Sequence, residues 1–571
     1  ARDELLPLFE SCDHHPLLIQ ALAGEVAEFR PAPGNYAAWR RANPEFNPAG
    51  GLDLRQRQSH ILAHALAGLD DKGTKVLRIL AGFRMTTGYD TLNELLVGAD
   101  APCADATELD RTLTELEDRG LLGWERVANR YDLHPIVRGV VWDRLAEGDR
   151  QDVLEGLHAH FAAQPLVEDW REVESLADLE PAIELYDKLV GLGRYQQAFE
   201  LFRHRLDAAT LWRLSASRRR LELLRALFPA GRDDDSLAPP LLETARQQSY
   251  TLNALAQAYM SSGQPGVAEA RFREAAEIDQ RVDHKSSLTV DLANLSDALR
   301  ISGNLHGAEQ YARSALRLAR KLDDEFKQGV SLSILGNALA ARGEVGAADQ
   351  ALARSLHLCK KQYAQQGECR IAAYRAEFAL RQGEVQTAHE LAYRAWQLAG
   401  VRRHERDFIR AARLQGAAAL QLGDFQLADE RLHHALRRAR AVDLAEEELL
   451  ILVALAELHR CQGDPTTSRE LLDPVSGPAE RGPYPLFHAD ALNVLAQIER
   501  DAGNTNAAVD AATRAYELAW CDGPPYAYHW GLQAARAHLR ELCATEPELP
   551  PFNPDDHEPM PEVEIDPPSD A

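Results

Sequence analysis

Three groups of residues in this 571-residue sequence have types and spacings that could carry chemistry. His60 and His64, in "SHILAHAL", stand four apart, which places two imidazoles on one helix face, the spacing of a zinc protease. The glutamate that must follow the first histidine is missing, so that pattern fails. The seven cysteines, Cys12, Cys103, Cys359, Cys369, Cys461, Cys521 and Cys543, include no Cys-x-x-Cys pair and are odd in number. They read as reduced thiols in a cytoplasmic protein, with no disulfide framework and no zinc site. The third candidate is His134, in "RYDLHPIVRGVVWDRL" (130–145), between an expected strand and a helix start. On spacing alone it is a capping or core histidine. At a helix start it also sits where anions are favoured. His14-His15 and His433-His434 read as surface or core residues, and no Ser-His-Asp or Cys-His set can be placed in one pocket. No G-x-x-x-x-G-K-[ST] loop occurs, nor a hydrophobic strand ending in paired acids for magnesium. The chain itself is therefore expected not to hydrolyse ATP and to have no catalytic or metal site.

The elements that would position such residues are dominated by one register. Gly263, Gly303, Gly343, Gly383, Gly423, Gly463 and Gly503 follow one another at forty-residue steps. A small residue lies five after each: Ala268, Ala308, Ala348, Ala388, Ala428, Ser468 and Ala508. Another lies seven before each: Ala256, Ser296, Gly336, Ala376, Gly416, Ala456 and Ala496. Glycine ends one helix by accepting a left-handed conformation at little cost. Small residues on both helices then let an antiparallel pair approach closely, with Leu252, Leu292, Leu332, Leu452 and Leu492 filling the core. Such a unit cannot bury its own apolar face, so neighbours stack into a superhelix. The pattern resembles the tetratricopeptide repeat over 240–545, with longer helices or turns than the usual period of about 34 requires. A degenerate earlier copy is expected at "GLGRYQQAFELF" (191–202), with Gly193 and Ala198 at the same offset.

The first helix of each pair should line a concave face. Asn253, Gln257, Asp297, Arg300, Asn337, Glu377, Arg410, Arg413 and Asn493 are its candidate partner-binding residues, with Arg370, Arg381, Arg460 and Arg500 nearby. Polar groups of both signs suit a peptide or protein partner. The alternative is a merely solvated inner surface.

Residues 71–146 read differently. "GTKVLRILAGF" (73–83), "TLNELLVGA" (91–99) and "DATELDRTLTELEDRGLL" (105–122) are three expected helices. A short hairpin with Asn129 at its turn follows. That is a winged-helix order, which by itself would suggest DNA binding. The third helix carries Glu108, Asp110, Glu115, Glu117 and Asp118, which would repel phosphate, so an intramolecular or protein-binding role is expected.

The stretch around His134 resembles the end of the winged-helix domain in STAND signalling ATPases of the NB-ARC type. That family has a Met-His-Asp motif whose histidine contacts the phosphate of bound ADP. Here the triplet is Leu133-His134-Pro135, so the Asp is replaced by proline, which is acceptable in a first helical turn. "CDHHPLLIQALAGEV" (12–26) resembles the segment in which a proline packs near the adenine, and Pro16 is the matching residue. The resemblance implies a regulatory and sensing half whose winged helix holds an ADP-bound, autoinhibited state. ADP or ATP with magnesium would bind only together with an upstream nucleotide-binding domain, and none to this chain alone. It also implies an intramolecular contact with that domain and an oligomer on activation, with defence signalling in bacteria as one use. The rival readings are a nucleotide-independent tetratricopeptide scaffold and a transcription regulator of the STAND type.

The bulk properties agree with a water-soluble receptor. The net charge is −25, which disfavours a nucleic-acid partner. The basic stretches "SASRRRLELLR" (215–225) and "HHALRRARAV" (433–442) read as solvated helix faces. No apolar run is long enough to span a membrane, and no membrane partner is expected. The fold expected is mainly α: a helical part at 1–70, a winged helix at 71–146, an irregular helical linker at 147–239, the superhelix at 240–545 and a tail at 546–571. A polar hinge is expected at 229–240. The tail has nine acids, eight prolines and no Lys or Arg between 546 and 570, so it should be extended. Phe552, Met560, Val563 and Ile565 are its candidate anchors on the superhelix.

Overall fold

The computed structural model describes residues 16–27, 29–43, 62, 66, 68–229, 238–362 and 364–565. His15, His60, His64 and most of the expected hinge at 229–240 lie outside these residues, as does the side chain of Pro16. Two compact units are present. The first comprises residues up to 167 together with 177–202, and the second comprises 168–176 together with 203–571. Of the segment 147–239, read from sequence as one linker, 147–167 and 177–202 fall in the first unit and the remainder in the second.

In the first unit, helix Asp71–Ala81 is followed by strand Thr87–Gly88, helices Tyr89–Leu96 and Ala106–Asp118, and strands Gly123–Glu125 and Arg130–Asp132. The strand Arg130–Asp132 is central in a three-stranded antiparallel sheet, with Tyr131 opposite both Thr87 and Trp124. Asp70 and Asp105 cap the first and third helices by accepting the Gly73 and Glu108 amides at 2.6 and 2.9 Å. Leu109, Leu113 and Leu116 recur at helical spacing and are buried with Leu77, Leu80, Leu92, Leu133 and Val137. Asn129 turns the hairpin with φ of 49°, as its residue type suggests. The third helix, expected to run to Leu122, stops at Asp118 because Gly120 takes φ of 67°. The two-residue strand Thr87–Gly88 is too short to leave a sequence pattern.

The helix Pro16–Ala27 packs backbone to backbone on the end of that third helix. A Cβ on Gly24 would lie 2.7 Å from the Arg119 Cα. Helices Glu147–Ala163, Glu180–Gly191 and Tyr195–Leu201 complete the unit. Gly193 has φ of 70° and Ala198 is fully buried, at the same offset of five as in the repeats. Glu184 and Lys188 form a fully buried ion pair at 2.8 Å. Glu184 also accepts the Arg84 and Met85 amides, which satisfies the lone pairs that burial strips of water.

In the second unit, repeats 1 to 7 begin at Ala245, Lys285, Glu325, Gln365, Glu405, Ala445 and Pro485. A typical repeat is two 17-residue helices, such as Lys285–Ile301 and Leu305–Lys321, joined by three-residue turns. All seven register glycines have φ between 76° and 87°. The turns between repeats carry a second left-handed residue: Asp283, Asp323, Arg403 and Asp443, with φ of 51–54°. Asp tolerates this region by hydrogen bonding locally, and its forty-residue recurrence is a signal the sequence reading passed over.

The two small positions face each other. Ser296 and Ser468 donate their hydroxyls to the carbonyls of Ala308 and Ala456, both at 2.6 Å. At Gly336 and Gly416 a Cβ would come within 2.7 and 2.6 Å of Leu352 and Leu432. First helices also pack on one another from repeat to repeat, as on the inner side of a superhelix.

The superhelix turns tightly enough for each turn to meet the next. A Cβ on Gly263 of repeat 1 would lie 2.9 Å from the Ala445 Cβ, where repeat 6 begins. On Gly303 of repeat 2 it would lie 2.7 Å from Pro485 Cγ in repeat 7. Gly343 of repeat 3 abuts His529, at the start of the closing helix His529–Glu541. Arg342 donates to the Pro525 carbonyl at 3.0 Å and the Trp530 indole to the Ala340 carbonyl at 2.7 Å. Before repeat 1, Trp212 stacks on His404 at the start of repeat 5. Gly383, Gly423, Gly463 and Gly503 have open space at the same position.

A buried polar cluster joins repeats 1 and 2. Ser249 donates to Asp279, Asn253 donates to Asp291 at 2.6 Å, and Asn294 donates to Asn253. Burial, with Asp279 beside it, pushes the Asp291 carboxyl up to about 8, so the folded chain holds a proton there that the unfolded chain releases near pH 4. Stability should therefore fall as pH rises from about 4 to about 8.

Two expectations follow from this packing. Gly463→Ala should cost about 1–2 kcal/mol, the penalty of a left-handed alanine, in chemical denaturation. Gly303→Ala should cost clearly more, because its new methyl also meets Pro485. Asp291→Asn, which mimics the protonated carboxyl, should melt above the parent at pH 8. That gap should narrow as pH falls toward 4, and an unchanged gap would exclude a proton held at this pair.

Candidate functional site

The inner face of the superhelix is built from charged residues at helical spacing. Arg370, Tyr374, Glu377 and Arg381 share one face of the helix Gln365–Gln382. Arg406, Arg410 and Arg413 do the same on Glu405–Gln421. Glu446 and Glu447 lie in the first turn of Ala445–Cys461, where the helix dipole favours acids. Arg410 Nε reaches one oxygen of Glu447 at 2.6 Å and Arg413 Nε the other at 2.8 Å. Arg406 pairs with Glu446 at 2.8 Å, and Arg413 also donates to Glu377 at 3.1 Å. Burial alone would raise the Glu447 carboxyl, but Arg413 and Arg410 outweigh it and hold it at about 2. Further along, Arg381 donates to Asp490 of repeat 7 at 2.5 Å, and Tyr528 donates its hydroxyl to the same carboxylate.

Beside this ladder is a cavity of about 110 Å³. Gln257, Asn294, Asp297, Arg370, Tyr374, Arg406 and Arg410 contribute polar groups to it, and Trp212 an aromatic wall. Asp297 accepts two hydrogen bonds from Arg300, at 2.9 and 3.2 Å. Burial would raise its carboxyl, yet Arg300, Arg406 and Arg410 keep it below the ordinary carboxylate range. Arg406 and Arg410 are tied to Glu446 and Glu447. Arg370 has neither a hydrogen bond nor an ion pair among the described residues, and its Nε is buried.

Of the residues expected from sequence, Gln257, Asp297 and Arg410 meet at the cavity. Arg300 is the ion-pair partner of Asp297, while Glu377 and Arg413 pair with each other in the adjoining ladder. Asn337 is half-buried on repeat 3 and does not line it. Asn253 is committed to the buried cluster of repeats 1 and 2. Asn493 is buried and donates to the Gly531 carbonyl at 3.0 Å, under the closing helix. The sequence reading passed over Trp212, Asn294, Arg406, Asp407, Glu446 and Glu447. Arg406 stood four before Arg410, and the acids of "LAEEELL" followed one repeat later, so a helical-face reading would have found them.

In the first unit, His134 caps the helix Pro135–Asp143, with Nδ1 accepting the Ile136 amide at 3.3 Å. A neutral ring so held carries its proton on Nε2. Asp132 receives Arg138 at 2.8 Å beside it. The acidic third helix presents Asp110 and Asp118 to solvent, and the Tyr89 hydroxyl, donating to Asp110 at 2.6 Å, is pushed up to about 12. No group of three or more His, Cys, Asp or Glu residues among those described is placed to hold a metal ion. No helix among the described residues is long and apolar enough to cross a membrane.

A search among curated proteins returned no match. Among solved structures, a signal transduction ATPase with numerous domains (STAND) protein with a tetratricopeptide repeat sensor, from Pyrococcus horikoshii, aligns at 13% identity. The alignment covers 95% of this chain and 72% of that one, with a TM-score of 0.38. The Rap conjugation gene regulator of the plasmid pLS20, in complex with the Phr* peptide, aligns at 15% identity over 61% of this chain and 88% of that one, TM-score 0.37. Aspartyl phosphate phosphatase F from Bacillus subtilis aligns at 10% identity over 81% and 94%, TM-score 0.35. The profile of the MalT-like TPR region matches residues 241–539, more than half of the sequence and all seven repeats. The chain belongs to the MalT-like TPR region family.

Proposed function

We propose that this chain is the regulatory and ligand-sensing half of a STAND signalling ATPase. The superhelix binds the trigger, a peptide, partner protein or smaller ligand, on its inner face. The observation that carries this reading is the interior cavity, where Arg370 alone of the arginines lacks an acidic partner. The buried Nε of the half-buried Arg370 has no acceptor, which is costly, and a ligand that supplies an acceptor there gains from pairing with it.

The helix–strand–helix–helix–hairpin unit is read as the winged helix that holds the resting state. Its residues fit an ADP phosphate. His134 stands at a helix N-terminus, where the dipole favours an anion, and its Nδ1 bond to Ile136 directs the ring proton to Nε2, which can donate to a phosphate oxygen. Bound ADP supplies the negative charge that His134 would read. Pro135 replaces the acid of the family motif and keeps the first helical turn intact. The exposed acids of the third helix argue against DNA as the partner. Trigger binding would favour the form in which the winged helix leaves the nucleotide, a population shift that requires the trigger to prefer that form. Oligomerisation on activation and a cytoplasmic site of action belong to the same proposal.

In the longer protein that carries the nucleotide-binding domain, His134→Ala should retain at least tenfold less ADP after desalting, read by chromatography of the released nucleotide. Equal retention would remove His134 from the nucleotide site. For the inner face, ligands that raise the melting temperature should lose that effect in Arg370→Ala. Ligands that stabilise parent and variant alike would place the trigger elsewhere.

A further inference from the structure

The acidic, proline-rich segment that follows the closing helix is seated at several points, at Glu546, Pro550, Phe552 and residues 563–565. Glu546 meets Arg536 and the Tyr516 hydroxyl. The Trp520 indole donates to the Pro550 carbonyl at 2.8 Å. Gly523 leaves room for the passing backbone, since a Cβ there would lie 2.9 Å from the Phe552 amide nitrogen. Phe552 packs on Tyr526, His306 and His557, with ring centroids 4.6, 5.1 and 4.8 Å away. The segment then crosses the helices Leu305–Lys321 and Val345–Lys361. There Arg313, Arg320 and Gln350 donate to the main-chain carbonyls of Val563, Glu564 and Ile565, at 3.1, 2.8 and 2.7 Å.

The manner of this contact separates what is read from what is not. Three donors on two helices take three consecutive carbonyls, groups that every residue type possesses. Val563 and Ile565 pack against the core of repeats 2 and 3, while Glu562 and Glu564 between and beside them face solvent. Neither glutamate has an ion-pair partner among the described residues, although the donors are partly arginine. The furrow therefore selects an extended backbone and apolar residues at alternate positions, and not the acidity that dominates the segment's composition. Val563 and Ile565 are only half-buried, so side chains with more apolar surface would hold the same place better.

We propose that the furrow between these two helices is a binding site for an extended peptide segment with apolar residues at alternate positions. Residues 561–565 are its resident occupant, exchangeable for such a segment from a partner protein. Tethering gives the resident an effective concentration on the order of millimolar, which a second copy of the chain at ordinary concentrations does not match. A partner displaces it through better anchors. This inference is independent of the inner-face cavity.

The test uses a fluorescent peptide of residues 557–568 as probe, with binding read by anisotropy. The parent chain, its furrow filled in cis, should bind it at least tenfold more weakly than the chain carrying Val563→Asp and Ile565→Asp. A chain ending at Thr545 should match the double variant and guards against misfolding of either. A peptide with Glu562→Gln and Glu564→Gln should bind as well as the original, and one with Val563→Asp and Ile565→Asp should not bind. Adding Gln350→Ala and Arg313→Ala to the opened chain should weaken binding. Equal binding by parent and opened chains, no binding by either opened chain, or dependence on the glutamates would overturn the proposal. So would a stable dimer of the parent chain with its segments exchanged, seen by light scattering, since the occupant would then be a second copy.

Discussion

Close approach of backbones, permitted only where side chains are small, is the constraint on which the repeat unit rests. Within a repeat it acts at the facing small positions, where even one methyl more would strike Leu352 or Leu432. Between superhelical turns it acts again at Gly263, Gly303 and Gly343, whose missing Cβ atoms make room for the repeat five further on. One residue type thus serves two demands. Its left-handed φ ends a helix, and its lack of a side chain lets the next turn of the superhelix close. From Gly383 onward only the first demand remains, because no further turn lies against those glycines.

Tight winding has an electrostatic consequence. It brings first helices from distant repeats within reach of one another across the inner face, so charges that would be solvated on an open solenoid become buried. Buried charges must be paired, and the ladder from Glu377 through Arg413, Glu447, Arg410 and Glu446 to Arg406 meets that need. Arg381 and Asp490, 109 residues apart, are paired for the same reason. Against this background of matched charges, Arg370 has neither a hydrogen bond nor an ion pair among the described residues.

The segment after the closing helix works on the other side of the same architecture. It runs from the closing helix to repeats 2 and 3, elements that the winding has already brought side by side. Its proline content keeps the backbone extended and removes part of its amides. The carbonyls are the groups that need partners, and side-chain donors provide them. A composition that cannot form a core by itself is thereby held by side-chain donors to its carbonyls, by the Glu546 contacts and by the apolar side chains of Phe552, Val563 and Ile565.

Much of this was legible in the residues themselves. The forty-residue glycine register fixed the helix pairs, their turns and their facing small residues, because a left-handed turn and a close helix contact each admit few residue types. Leu109, Leu113 and Leu116, the Asn129 turn and Gly193 were legible for the same local reason. What sequence could not supply was the pitch of the superhelix, since that depends on small rotations summed over many repeats. Neighbour stacking decided that Asn253 and Asn493 are spent on internal hydrogen bonds, and pitch that Gln257, Asp297 and Arg410 share a cavity with Trp212 from outside the repeats. It also decided that repeat 3 touches the closing helix and that Val563 and Ile565 find a furrow. Local stereochemistry determined each repeat from its sequence; which distant side chains meet was set only when the repeats were wound together.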